Sequence, residues 1–403
     1  MPLTQILKRA GLYLFALIII VSLVHQPAQG HRSQPLEIYH HAWELIKDNY
    51  YELSFNGKDW NELEHKYDDQ IKTTEDAYNA IKLMVSTLND PYTRLLEPKA
   101  FQDENDAIDA HIVGIGINLQ QSKDAAHLLI TRTIENGPAE KAGIAAGDEI
   151  VGIDGVTAIG MTPEQAAEHI RGAIGTPVQL AVKHGFACKS VSITRQEINI
   201  HAVAAKMLEN RVGYIQLTTF ISNDASKEFR NALEKLSGAD GIVVDLRDNP
   251  GGLLSNALEI ADMLLENGAI VSTISRHNHH IDLASGTPLT HQPLVILVDN
   301  ESASASEILA SALQDNARAV LVGTRTYGKG LVQEINRLPG GAALHITVSR
   351  YLTPAGADIN KIGVAPDIVV DNKDDQMRVA LAFLKEKIAS LKPVKTSSLV
   401  SVH

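Results

Sequence analysis

The sequence predicts a multidomain α/β chain with three parts: a helical N-terminal segment, a middle region of short strands, and a C-terminal layer where strands and helices alternate. Three observations carry this reading. The chain has 403 residues, more than one ordinary hydrophobic core organises. Apolar residues recur at helical spacing between Pro35 and Leu88, whereas from about Ala107 to Ile200 strand-length apolar runs alternate with glycine turns. From Gly213 onward, continuous apolar strands alternate with helical patterns, as in a buried parallel sheet with right-handed crossovers.

Lys8 and Arg9 precede an uncharged apolar run from Ala10 to Val24 and then the small-residue stretch Pro27–Gly30. Residues 1–30 therefore read as a signal peptide or membrane anchor, with cleavage near Gly30. The run is short for a bilayer span. In residues 31–100, Ile38, Ala42 and Leu45 form one helical stripe, and Ala77, Ile81, Val85 and Leu88 another. Thr73 and Asp76 suit a capping box at the start of the second helix, and Phe55–Gly57 reads as a turn. Residues 101–195 hold strands at Val113–Leu119, His127–Thr133, Val178–Val182 and Ser190–Ile193. Thr162, Pro163 and Gln165 open a helix expected to end at the glycines around Gly175. In residues 196–370 the buried strands are Gly241–Asp245, Leu294–Val298 and Ala319–Val322, with helices over Leu253–Leu265 and Ser304–Gln314. Residues 371–403 read as a helix, Met377–Leu391, and a polar tail.

The net charge of −12 and pI near 5.7 argue against nucleic acid as a partner, since phosphate binding needs clustered Lys and Arg. The single cysteine, Cys188, excludes an intrachain disulfide and reads as a buried small hydrophobe. His277, His279 and His280 lie in a polar stretch without a thiol or carboxylate at metal-ligand spacing, so no metal site is expected there.

Three segments can carry chemistry: Asp245–Gly252, Glu301–Glu307 and Gly328–Gly330, each just after a buried strand, where α/β folds place their sites. Ser304 followed by Glu307 is, taken alone, a helix start. Lys329, between two glycines, changes that reading. A serine hydroxyl needs a base, and a lysine serves as one only when neutral. Its pKa must then fall by roughly 3 units, which burial against strands around Leu297 and Leu321 could supply. Gly251 and Gly252, with the amide of Ala305, suit an oxyanion hole. A rival reading is a nucleotide-binding phosphate loop, because Gly323–Lys329 nearly matches GxxxxGK(S/T). Gly330 stands where the metal-binding hydroxyl should be, and Arg337–Gly341 leaves little room for the helix that should follow. A third reading is a non-catalytic binding protein.

In this order, Asp90–Thr93, Val113–Ile117, Gly137–Gly155, Asp245–Gly252, Ser302–Glu307, Gly328–Gly330 and Thr353–Gly356 resemble the carboxyl-terminal processing peptidases, or tail-specific proteases, over about Gln34–Val370. The resemblance implies a PDZ domain (a β-sandwich-like module) inserted before an α/β, crotonase/ClpP-like peptidase core. It implies a serine endopeptidase that cuts near the C-terminus of proteins with accessible tails. Ser304 falls on the family's nucleophile and Lys329, 25 residues later, on its lysine. Gln333 falls on the glutamine that orients this lysine, Asp315 on a supporting aspartate, and Glu307 beside them in the serine motif. Gly114, Ile115, Gly116 and Ile117 fall on the tail-binding loop, and Arg171 on a residue that couples tail binding to turnover. Asp90–Thr93 falls on a turn before the PDZ domain. No cofactor and no metal are implied. The location implied is the periplasm, or the thylakoid lumen if the helical segment marks the cyanobacterial subgroup it resembles.

Overall fold

The computed structural model describes residues 19–20, 34–109, 111–122, 127–134, 137–185, 187–199 and 201–391. The expected signal segment, apart from Ile19–Ile20, and the polar tail lie outside the described residues. Among the described residues no helix is long and apolar enough to cross a membrane. The chain divides into two compact units: Asp106–Ile200, and the remainder formed by Met1–Asn105 with His201–His403.

The larger unit is layered. Its central sheet runs in the order Val203–Met207, Val212–Leu217, Gly241–Asp245, Leu294–Val298, Ala319–Gly323, Ile368–Val369, parallel except at the first pair. Alternation along each strand divides its side chains between two faces. Ile242, Val244, Ile296 and Leu321 join the helices Ala225–Lys235, Leu254–Asp262 and Ala305–Asp315, while Val243, Val295, Leu297 and Val322 join Ala380 and Leu384 of the C-terminal helix Lys373–Leu391. Both faces are covered, which is why these strands are apolar throughout.

A second sheet covers the other side of the inner helices. It contains the antiparallel strands Ala269–Ser275, His279–Leu283, Leu331–Arg337 and Ala343–Leu352, and the short strand Arg94–Leu96. Its Val271, Val332 and Tyr351 belong to the inner core, while Leu344 and Ile346 pack against the N-terminal helices Pro35–Asn49 and Thr74–Ser86. The capping box at Thr73 forms, with Thr73 Oγ1 accepting from Asp76 N at 3.2 Å and Asp76 Oδ2 from Thr73 N at 2.8 Å. In the first helix the buried stripe is Ile38, Ala42 and Ile46, with Leu45 only half-buried. The histidines expected in a loop instead border or join a hairpin: His279 and His280 lie on its exposed second strand, His277 at its turn.

The unit Asp106–Ile200 holds a six-stranded antiparallel sheet, in the order Ile117–Gln121, Leu128–Thr133, Glu149–Ile153, Pro177–His184, Ala187–Thr194 with the short Val156–Thr157 pairing off Glu149–Ile153, and the two-stranded ladder His111–Gly114/Gln196–Asn199. Ile115, Leu128, Ile130, Ile150, Leu180 and Val182 form its core with Ala166 and Ile170 of the helix Pro163–Ile170. Two expectations are corrected. The helix stops at Ile170 rather than near Gly175, because Arg195 closes it: its guanidinium donates to Ile170 O at 2.6 Å and His169 O at 3.4 Å. Cys188 is exposed, because Ala187–Thr194 is an edge strand whose first four residues all face solvent.

Candidate active site

The turn Leu246–Gly252 leaves the carboxyl end of Gly241–Asp245 and is pinned by Asn249. Its Nδ2 donates to Leu217 O at 2.7 Å, and its carbonyl accepts from Ala303 N at 3.0 Å and from Ser306 Oγ at 2.9 Å. This brings Gly251, at φ +96°, against the serine turn so closely that a Cβ would lie 2.6 Å from Ala303 O, 2.8 Å from Ser304 Cβ and 2.9 Å from Ala305 N. One expectation shifts here. The Gly251 amide is already donated to Asn249 Oδ1 at 2.9 Å, so Gly251 serves the close approach, while Ala305 N sits at the start of its helix where amides lack an intrahelical acceptor.

The three serines of the cluster are all buried but differ in their bonding. Ser302 Oγ donates to Leu246 O at 2.7 Å and accepts from Asp299 N at 3.0 Å. Ser306 Oγ is held by Asn249 O. Ser304 Oγ makes no hydrogen bond. Ser304 also sits at φ +60°, ψ −115°, a strained backbone for a non-glycine residue that costs of order 1–3 kcal/mol. An unpartnered hydroxyl on a strained strand-to-helix turn is the outlier of the cluster.

Glu307 joins this turn to the lysine loop. Its Oε2 accepts from both Ser304 N (2.8 Å) and Lys329 N (2.9 Å), and its Oε1 from Gly328 N (2.7 Å) and Thr326 Oγ1 (2.5 Å). Burial pushes its carboxyl pKa up, against these donors. Tyr351 Oη lies 2.6 Å from Lys329 O and 3.2 Å from Ser304 O, a second bridge between the same two residues. The glycine before the lysine is required by space as well as by φ, +91°: a Cβ on Gly328 would lie 2.8 Å from Ile362 N.

Lys329 is completely buried, and its pKa is pushed down to about 7, by burial first and by the Arg94 guanidinium second, with Asp90, Glu307 and Glu104 opposing. The Tyr92 ring, 4.7 Å from Nζ, favours the ammonium, but desolvation outweighs it. The expected neighbours were strands around Leu297 and Leu321. Leu297 instead faces the C-terminal helix, and Asp90, Tyr92 and Arg94 of one segment act on Nζ together with Glu307 and Glu104.

That segment is what sequence reasoning missed. Read as a turn, Asp90–Thr93 is also a polar wall: Asp90 Oδ2 accepts from Thr93 Oγ1 and Thr347 Oγ1, both at 2.7 Å. Gln333, fully buried, donates its Nε2 to Thr347 Oγ1 at 3.4 Å. Beyond it His345 Nε2 lies 3.1 Å from Glu104 Oε1, both buried, and Arg94 Nη2 3.8 Å from Glu104 Oε2. Strand alternation places Gln333, His345, Thr347 and Ser349 inside, and the sequence signal was there in polar residues punctuating two otherwise apolar stretches.

Other expected residues fall elsewhere. Asp315 is at the far end of the helix that begins beside Ser304, about 15 Å along it by helical rise, and its exposed carboxylate accepts from Ala355 N at 2.8 Å. Gly114–Ile117 join the ladder His111–Gly114 to the strand Ile117–Gln121, with Ile115 buried and Gly116 at φ +76°. The helix Pro163–Ile170 packs beside that strand, and Arg171 is its exposed C-cap. Lys329 leads into the strand Leu331–Arg337, so no helix N-terminus follows it and the phosphate-loop reading fails.

The fold and this site define a serine-type peptidase carrying a PDZ domain. The sequence model of Peptidase family S41 matches residues 211–370, that of the PDZ domain 111–183, and that of the Tricorn protease C1 domain 32–86. A carboxyl-terminal-processing protease of Picosynechococcus sp. is 38% identical over 374 residues, covering 90% of each chain. One of Synechocystis sp. is 39% identical over 340 residues, covering 82% of this chain and 79% of its own. The solved structure of a photosystem II D1 C-terminal processing protease matches with a TM-score of 0.60 at 32% identity, covering 86% of this chain and 97% of that one. The chain belongs to the carboxyl-terminal-processing proteases of peptidase family S41.

Proposed function

We propose that the chain is an endopeptidase that cuts proteins near their C-terminus, with Ser304 as nucleophile and Lys329 as its base, after the PDZ domain takes the substrate tail. The observation that carries this is the shared grip on Glu307 Oε2 by the amides of Ser304 and Lys329, which ties the one unbonded hydroxyl of the cluster to a buried lysine. The neutral amine of Lys329 takes the proton from Ser304 Oγ as that oxygen attacks the scissile carbonyl. The resulting ammonium then protonates the departing amine, leaving an acyl ester on Ser304. Water attacks that ester and gives a proton to Lys329, whose ammonium passes it to Ser304 Oγ as the ester C–O bond breaks, releasing the acid and restoring both the serine and the neutral amine. The amides of Ala305 and Gly252 stabilise the oxyanion, and Gly251 joins them only by releasing Asn249 Oδ1. Gln333 and Thr347 hold the polar wall beside the lysine.

In the PDZ domain, the backbone of Gly114–Ile117 receives the tail's α-carboxylate, and the tail extends between Ile117–Gln121 and Pro163–Ile170. The location that fits the cyanobacterial and chloroplastic relatives is extracytoplasmic or lumenal. The test is a peptide ending in a free carboxylate against the same peptide amidated, with products read by mass spectrometry. Internal cleavage of the free form, reduced on amidation and absent in Ser304→Ala, is expected. Cleavage by Ser304→Ala refutes the nucleophile, and equal turnover of both peptides refutes tail capture.

A further inference from the structure

We propose that His40, His65 and Asp68 form a binding site for one borderline divalent cation, Zn²⁺ by preference, in the N-terminal helical segment. Three local elements bring these donors together: His40 from the helix Pro35–Asn49, His65 from the turn after the 3₁₀ segment Asn61–Leu63, and Asp68 at the head of Asp68–Gln70. His40 Nε2 lies 3.1 Å from Asp68 Oδ1, and His65 Nδ1 lies 2.9 Å from Asp68 Oδ2. One ligand atom from each residue lies within 4.8 Å of the others. A tetrahedral zinc with bonds of about 2.0–2.2 Å needs ligand atoms roughly 3.3–3.5 Å apart, so the three donors, one atom from each residue within 4.8 Å, draw together by about an ångström at most to enclose it.

Both imidazoles direct a ring nitrogen at one carboxylate. With no cation present, each of those nitrogens must carry a proton to bond Asp68. A cation takes the place of the two protons, and the three side chains close slightly around it. The two rings are tilted by 51° with centroids 5.1 Å apart, so they converge by their edges instead of stacking. The His40 ring is set edge-on to the buried Tyr39 at 5.7 Å, which limits its rotation. The side chains of His40 and Asp68 are 26% and 29% exposed and that of His65 71%, leaving an approach from water and an open coordination position. Glu64, with Oε1 3.8 Å from His65 Nε2, adds negative charge beside it.

Two imidazoles and one carboxylate select Zn²⁺, Cu²⁺ or Ni²⁺ over Ca²⁺ or Mg²⁺, which require mostly oxygen ligands. The bound ion would clip residues 61–70 onto the helix Pro35–Asn49, whose buried face packs against Leu344 and Ile346 of the second sheet. Its role is therefore to brace the helical segment.

The test is calorimetric titration of Zn²⁺ into the metal-stripped full chain and into His65→Ala, Asp68→Asn and His279→Ala, the last probing the separate hairpin histidines. One equivalent binding at micromolar or tighter affinity is expected, weakened at least about tenfold by His65→Ala and by Asp68→Asn and unchanged by His279→Ala. Zn²⁺ should raise the Tm of the wild type but not of His65→Ala, and excess Mg²⁺ should not compete. Absence of one-to-one binding, or binding that survives His65→Ala, overturns the site.

Discussion

The two sheets of the larger unit are built by different rules. The parallel sheet is apolar on both faces, and its side chains Val243, Val244, Ile296 and Leu297 do nothing but pack. The antiparallel sheet buries Gln333, His345, Thr347 and Ser349 among its apolar residues. The first fixes backbone: its carboxyl ends hold the Asn249 and Ser304 turns in place. The second supplies polar side chains around Lys329. Rigid packing positions the serine turn, while burial, with the Arg94 guanidinium second, pushes the pKa of the lysine down.

Substitutions at the end of the parallel sheet give the largest contrast. Ser304→Ala is expected to reduce turnover by about 10⁴-fold or more, the scale seen when a nucleophile is removed, with little change in Tm. Ser302→Ala and Ser306→Ala should instead keep turnover within about tenfold and lose about 1–2 kcal/mol of stability, because each removes a buried hydrogen bond. Kinetics and denaturant melts of the three variants decide it. Loss of activity in Ser302→Ala with Ser304→Ala active would reverse the assignment.

The lysine wall makes the opposite trade between activity and stability. Lys329→Met should abolish turnover yet raise stability at pH 7 by on the order of 2–4 kcal/mol, since burial holds the amine's pKa down at about 7. Between about pH 7 and 10.5 the unfolded chain carries a proton on Lys329 that the folded chain has lost. The unfolded state binds more protons there, so the lysine's contribution makes stability rise with pH across this window, and the slope should vanish in Lys329→Met. Turnover should rise through an apparent pKa near 7. A flat pH–rate profile, or a variant less stable than wild type at pH 7, would count against a neutral buried lysine.

This contrast also explains how far the sequence could be read. Apolar runs such as Gly241–Asp245 and Leu294–Val298 announce a buried sheet, and Ser304, Glu307 and Lys329 stand beside its strand ends, so both the layer and its candidate chemistry were legible. The antiparallel sheet is not foreseen because Leu344, His345, Ile346, Thr347, Val348 and Ser349 alternate like a strand with one face in water, whereas here the polar face of His345, Thr347 and Ser349 is buried as well. Asp90 and Thr93 meet Thr347 across more than 250 residues of chain, a contact no local pattern encodes. Arg195 closing the helix at Ile170 is the same kind of long-range event.

A smaller effect separates the wall from simple packing. Thr347→Val keeps the shape of the side chain but removes the hydroxyl that donates to Asp90 and accepts from Gln333. It is expected to lower kcat by about tenfold with KM unchanged, to shift the pH–rate profile, and to cost about 1–2 kcal/mol. Thr347→Ser should restore the kinetics. A loss of stability without a kinetic change would make the wall structural only.

The smallest effect expected lies outside both sheets, at Arg171. A basic residue at a helix C-terminus can act simply by meeting the last carbonyls. Here Arg195, whose buried guanidinium donates to Ile170 O and His169 O, meets those carbonyls, while Arg171 is the exposed C-cap residue beside them. Arg171→Ala should therefore change stability by less than about 0.5 kcal/mol, as an exposed substitution does, whereas Arg195→Ala should destabilise the PDZ domain by several times that. If Arg171 couples tail binding to turnover, its replacement lowers kcat on the free-carboxylate peptide several-fold while the affinity for that tail, measured with Ser304→Ala as background, stays the same. The amidated peptide, which cannot engage the coupling, should show no difference between wild type and variant. A weaker tail affinity with kcat intact would instead make Arg171 a binding residue and leave the two sheets independent of it.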